Sequence, residues 1–185
     1  TARPRTGIDV IASRKGNEDG TFCLTLTAGQ ELAAAKGAMD YVFVMDISGS
    51  MADQGKLDVS RASVDAFIKA LGNGDNFEVM AFNVAPALLF NKLTPADDAA
   101  KAKAAEFIAA QQARGGTVLR PALETAYKYA TAGGRPLNVV ILSDGMSEQN
   151  ERTELLKLIA QKPTGVKVFC IGVGNDVNRP LLTQM

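Results

Sequence analysis

Histidine is absent from this chain of 185 residues, as is tryptophan, and there are only 2 cysteines. Without histidine there is no Ser-His-Asp or Cys-His nucleophile, no imidazole acid or base, and no imidazole metal ligand. Cys23 and Cys170 stand far apart in apolar, strand-like runs. They read as two buried thiols rather than a disulfide, so the redox compartment stays open. A surplus of charge is missing too, because 20 Lys and Arg balance 20 Asp and Glu. No global field therefore favours nucleic acid or an anionic membrane. No apolar run approaches the length of a membrane span, and the first residues lack the apolar core of a signal peptide. Neither nucleic acid nor direct membrane insertion is expected.

What is present is concentrated in Tyr41-Val42-Phe43-Val44-Met45-Asp46-Ile47-Ser48-Gly49-Ser50-Met51. An apolar, partly β-branched run of this length reads as a buried parallel strand, and open α/β sheets place ligands beyond the carboxyl ends of such strands. Here the run ends in Asp46, Ser48 and Ser50, three oxygen donors on one loop, with Gly49 permitting a sharp turn. An all-oxygen cluster suits Mg²⁺, Mn²⁺ or Ca²⁺ and argues against zinc or copper. Taken singly, each of these residues could equally be a helix cap.

From Tyr41 onward, short apolar runs alternate with longer helical patterns, which predicts a mostly parallel sheet covered by helices. Strands are expected at Tyr41–Ile47, Phe77–Phe82, Ala87–Asn91, Leu137–Leu142 and Val166–Val173. Asn83-Val84-Ala85-Pro86 is too short for a helical crossover, so the strand after it should pair antiparallel at an edge. Helices are expected over about Leu57–Leu71, from a Thr94 cap with Pro95 at the first position to about Gln112, over about Leu119–Ala130, and over about Glu151–Gln161. Another helix opens at Asn178-Arg179-Pro180. Before this unit, Ile8–Ala12 and Phe22–Thr27 form a hairpin or linker segment, giving expected boundaries of 1–37 and 38–185. Both ends look cut, the first inherited from a preceding domain and the second one turn into a helix.

These pieces, in this order, resemble the von Willebrand factor type A family over roughly Ala38 to the end. Asp46-Ile47-Ser48-Gly49-Ser50 is similar to the family's DxSxS metal motif. Thr117, in Arg-Gly-Gly-Thr, is similar to the family's loop threonine, and Asp144, in Leu-Ser-Asp-Gly, to the aspartate closing its fourth strand. Asp40–Met51, the Asn73–Phe77 turn and the Gly20–Leu26 segment look most like inter-alpha-trypsin inhibitor heavy chains and their bacterial relatives. The resemblance implies a doubly wound, Rossmann-like α/β fold with one antiparallel edge strand and helices on both faces. It also implies a metal-ion-dependent adhesion site built from Asp46, Ser48, Ser50, Thr117 and Asp144.

In such a site Ser48, Ser50 and, in one state, Thr117 would be direct neutral ligands, while Asp46 and Asp144 act through water or hydrogen bonds. The resemblance thus implies a non-enzymatic binding module whose open Mg²⁺ or Mn²⁺ position is completed by an Asp or Glu carboxylate of a partner protein. It further implies a larger multidomain chain and an extracytoplasmic setting. A metal-dependent phosphatase or hydrolase and a purely structural scaffold are the alternatives. Against the enzyme stand the lack of an aspartate two residues after Asp46, of a phosphate-cradling loop and of histidine. Lys56, expected on a loop, is a poor general base. Gly172-Val173-Gly174-Asn175 reads as a strand-end turn rather than a dinucleotide loop, and Lys101, Lys103 and Glu106 as a solvated helix face.

Overall fold

A computed structural model describes residues 7–13, 21–27, 37–130, 134–145, 152–175 and 177–178. The chain divides into two compact units, Thr1–Gly37 and Ala38–Met185. In the first, β1 (Gly7–Ser13) pairs antiparallel with β2 (Thr21–Thr27), Gly7 opposite Thr27 and Ser13 opposite Thr21. The polar Arg14–Gly20 connection and the helix expected from Arg179 lie outside the described residues.

In the second unit, β3 (Asp40–Asp46), β4 (Asn76–Phe82), β7 (Leu137–Ser143) and β8 (Val166–Gly172) run parallel. With β5 (Pro86–Leu88) and β6 (Thr94–Pro95) they form one six-stranded sheet in the order β5-β4-β3-β7-β8, β6 also pairing with β4. β5 is the antiparallel edge strand. This is the doubly wound, mostly parallel α/β sheet expected from the alternating pattern.

β3 shows why its run is apolar throughout, since successive side chains point to opposite faces and both faces are covered. Phe43 and Met45 pack with α1 (Lys56–Lys69) and α2 (Asp98–Ala109) through Val64, Ile68, Ala100, Ala104 and Ile108. Val42 and Val44 face the other way, among Leu119, Leu123 and Ala126 of the α3 (Arg120–Tyr127) region and Leu155 of α4 (Arg152–Ala160). Met45, Met51 and Met80 are fully buried, as expected of gap-filling thioethers. Among the described residues no helix is long and apolar enough to cross a membrane.

Two local expectations are corrected. Thr94 does not cap a helix with Pro95 at its first position: Thr94–Pro95 is a short strand opposite Asn76 and Phe77. The cap is Asp97, whose carboxylate accepts the Ala100 N–H at 2.7 Å. Asp and Thr are both competent caps, and the strand pairing decides between them. Nor is Lys101 merely solvated: its ammonium donates to the Leu71 carbonyl at 2.7 Å, just beyond the end of α1.

The strand expected over Ala87–Asn91 stops at Leu88: Leu89 N–H still bonds the Val79 carbonyl at 3.0 Å, but the Phe90 and Lys92 N–H groups turn to a side chain. Glu78 is fully buried; its Oε1 accepts from the N–H groups of Val79 and Phe90, and its Oε2 from the Lys92 N–H and the Tyr129 hydroxyl. Burial first, and then the Glu78 charge, push the Tyr129 hydroxyl well above its ordinary pKa. Cys170 is partly buried, and burial pushes its thiol up to about 11, so at neutral pH it is an inert packing group. Glu78→Ala would strand these donors and should cost about 3 kcal/mol in urea unfolding. A loss within experimental error would show that water replaces the carboxylate.

Candidate functional site

β3 and β7 are adjacent parallel strands that pair Met45 with Leu142, so their last residues, Asp46 and Ser143, emerge side by side at the carboxyl edge. The chain continues from β3 to β4 on one side, while β7 lies on the other. That gap is the switch point where open sheets form ligand crevices.

Asp46 is fully buried there. Its Oδ1 accepts the Ser48 N–H at 2.8 Å, and its Oδ2 accepts the Ser143 hydroxyl at 2.6 Å. Burial raises the Asp46 carboxyl above its ordinary pKa; the bonds from Ser143 and Ser48 oppose that rise and the Asp144 charge adds to it. A carboxyl shifted this way favours the folded metal-free chain below the ordinary carboxylate range, and that contribution is lost as pH rises through the folded value.

The first bond folds Ile47–Ser50 back over the strand end, bringing the Ser48 and Ser50 hydroxyl oxygens to 3.2 Å of each other. A 3₁₀ segment, Gly49–Gly55, then leads into α1. Thr117, itself buried, enters through its loop: Arg114 N–H bonds the Ile47 carbonyl at 2.8 Å and Gly49 N–H the Gly115 carbonyl at 2.9 Å. A Cβ at Gly49 would stand 3.2 Å from that carbonyl oxygen, so the approach of the two loops is tight enough to favour glycine. Among the described residues, Thr117 makes no side-chain hydrogen bond to the other four.

Asp144, fully buried, follows Ser143 and holds the Lys56 ammonium at 3.0 Å. Lys56 is therefore not on a loop: it is the first residue of α1, with its side chain only 7% exposed. Ser143 is a site residue the sequence reading did not single out, and Lys56 is one it weighed only as a loop-borne general base. Ser143 had a signal, a hydroxyl closing a strand that neighbours the Asp46 strand. The pairing of Lys56 with Asp144 had none, because the two lie 88 positions apart.

The donor set is carboxylate and hydroxyl oxygen only, as a hard divalent cation requires. In an octahedron with metal–oxygen bonds of about 2.0–2.1 Å, neighbouring oxygens lie about 3 Å apart. The Ser48–Ser50 separation is close to that edge. Among the described residues no three His, Cys, Asp or Glu side chains gather as ligands, and here neutral hydroxyls make up the majority. The chemistry of this donor set, and the Ser48–Ser50 spacing within it, suit Mg²⁺ or Mn²⁺.

The family model described as von Willebrand factor type A domain matches residues 39–185. Human inter-alpha-trypsin inhibitor heavy chain H4 is 28% identical over 156 residues, covering 78% of this chain and 17% of its own length. A von Willebrand factor type A structure from Catenulispora acidiphila superposes with a TM-score of 0.72 at 24% identity, over 97% of this chain and 40% of that one. The von Willebrand factor domain of a type V pilus tip protein from Porphyromonas gingivalis gives 0.51 at 25% identity, over 60% and 38%. The chain spans 15% to 17% of the length of the first curated relatives it matches, and none of these is named as an enzyme.

Ser143→Ala would remove the hydroxyl that serves both Asp46 and the Gly145 N–H, the latter at 2.9 Å. It should cost about 2 kcal/mol of stability in chelator. It should also raise the Asp46 pKa further, read by carbon-13 titration of the carboxyl. An unchanged Asp46 titration would show that the hydrogen bond does not tune that group.

Proposed function

This chain belongs to the von Willebrand factor type A family, and from that premise we propose that it is a divalent-metal-dependent protein-binding module. Ser48, Ser50 and Thr117 would hold Mg²⁺ or Mn²⁺ directly. Asp46 and Asp144 would act through water and hydrogen bonds, supplying negative charge and orienting the hydroxyls. The metal would supply an electrophilic centre, which an Asp or Glu carboxylate of a partner protein would complete.

The paired serine hydroxyls at 3.2 Å carry this reading, held by a buried Asp46 and stitched by main-chain bonds to the loop of Thr117. Neutral ligands leave the cation under-neutralised, so an incoming carboxylate is attracted rather than repelled. Val84 stands more than half exposed on the adjoining turn, whose Asn83 side chain bonds the Arg114 carbonyl at 3.1 Å. It belongs to the rim that would contact the partner. An outward-facing location and a larger multidomain chain accord with relatives such as the pilus tip domain and the heavy chain H4.

Calorimetric titration of Mn²⁺ and Mg²⁺ into the chain tests the reading, beside Asp46→Ala and Ser48→Ala. The parent should bind one ion, and each variant should bind at least about tenfold more weakly. A parent that takes up neither ion would remove the basis of the open site and leave a scaffold domain.

A further inference from the structure

Lys56 stands where little else would place a cation. It opens α1, the helix end at which the backbone dipole disfavours positive charge. Its side chain is nearly excluded from water, and such burial is unfavourable unless the charge is paired. The pairing is with Asp144 Oδ2 at 3.0 Å. The stem passes close against Gly174: a Cβ there would come within 2.6 Å of Lys56 Cε and 3.2 Å of Cδ, and Gly174 has φ +100°, a conformation suited to glycine. This is a built arrangement rather than a surface ion pair of negligible worth.

Charge counting gives it a role. Asp46 and Asp144 together carry two negative charges, and a divalent cation alone would neutralise them. With the Lys56 ammonium fixed on Asp144, these three side chains sum to a single negative charge before the metal arrives and to a single positive charge after it. The second arithmetic strengthens the attraction that the neutral ligands already leave for one more carboxylate.

We propose that Lys56 is a resident counter-cation that withdraws the charge of Asp144 from the metal, loosening metal binding and making the loaded site select a carboxylate partner. This rests on the metal-binding reading above and adds a positioning and specificity role for a residue outside the ligand set. Lys56 also gives Asp144 a cationic partner when no metal is bound, keeping the crevice folded and ready.

The test compares the parent with Lys56→Met and Gly174→Ala, the latter displacing the lysine stem while leaving every charged residue in place. Mn²⁺ affinity is read by calorimetry, acetate binding to the Mn²⁺-loaded protein by water-proton relaxation, and melting temperature in EDTA by circular dichroism. Both variants should bind Mn²⁺ about tenfold more tightly than the parent and acetate at least about tenfold more weakly. Both should melt lower in EDTA and show a larger rise on adding Mn²⁺. A Lys56→Met protein that folds only with Mn²⁺ would support the inference equally. Parent-like Mn²⁺ and acetate affinities in both variants would overturn it while leaving the metal site standing. Weaker Mn²⁺ binding in Lys56→Met would also overturn it, reducing Lys56 to a strut for Asp144. If neither parent nor variants bind Mn²⁺, the inference falls together with the reading it rests on.

Discussion

The hydrogen bond between Ser143 and Asp46 is the constraint from which the rest of the crevice follows. It joins the last residues of the two central strands, fixes one oxygen of a buried carboxylate, and leaves the other to capture the Ser48 N–H. Because β3 and β7 are parallel neighbours in register, the bond needs no loop flexibility; it is delivered by the sheet. The turn that Asp46 closes sets the spacing of the serine hydroxyls, and main-chain bonds from Arg114 and Gly49 register the Thr117 loop against that turn. A crevice held in this way is organised before any ligand arrives, which lowers the ordering cost of binding.

Such an arrangement concentrates negative charge where solvent is scarce, and the protein answers that cost locally. Hydroxyl and amide donors converge on Asp46, and an ammonium on Asp144. Elsewhere the same sheet handles a second buried carboxylate differently. Glu78 is surrounded by three main-chain donors and one phenol, with no nearby cation among its hydrogen-bond partners, and it organises a chain reversal. The contrast separates an acid satisfied mostly by the backbone from one satisfied by an ion pair. Three of the four Glu78 donors are main-chain N–H groups, whereas Asp144 holds the ammonium of a side chain.

Most of the fold was legible because its signals are local. Apolar runs with both faces buried mark β3, β4 and β7, and helical spacing marks Leu57, Val64 and Ile68 as the inner side of α1. The Asp46-Ile47-Ser48-Gly49-Ser50 signature is local too, since a strand end and a tight turn bring its three side chains together. What was not legible depended on distant pairing. Thr94 and Asp97 are interchangeable as caps until β6 meets β4. Lys101 looks solvated until the end of α1 stands beside it. Lys56 looks like a loop lysine until Asp144 arrives from β7 and Gly174 comes close against its stem.

That last case shows why motif residues alone under-describe a crevice of this type. A five-residue oxygen set specifies which cation can be accommodated, but the affinity for a further anion depends on net charge, and net charge is a property of everything buried nearby. A ligand set flanked only by neutral groups would bind its metal more tightly and its acidic partner less readily. On the reading proposed above, one lysine in the interior would reverse that balance without altering a single ligand. The charge of such a crevice is thus set one layer behind the motif, at positions such as Lys56 and Gly174, where a motif search does not look.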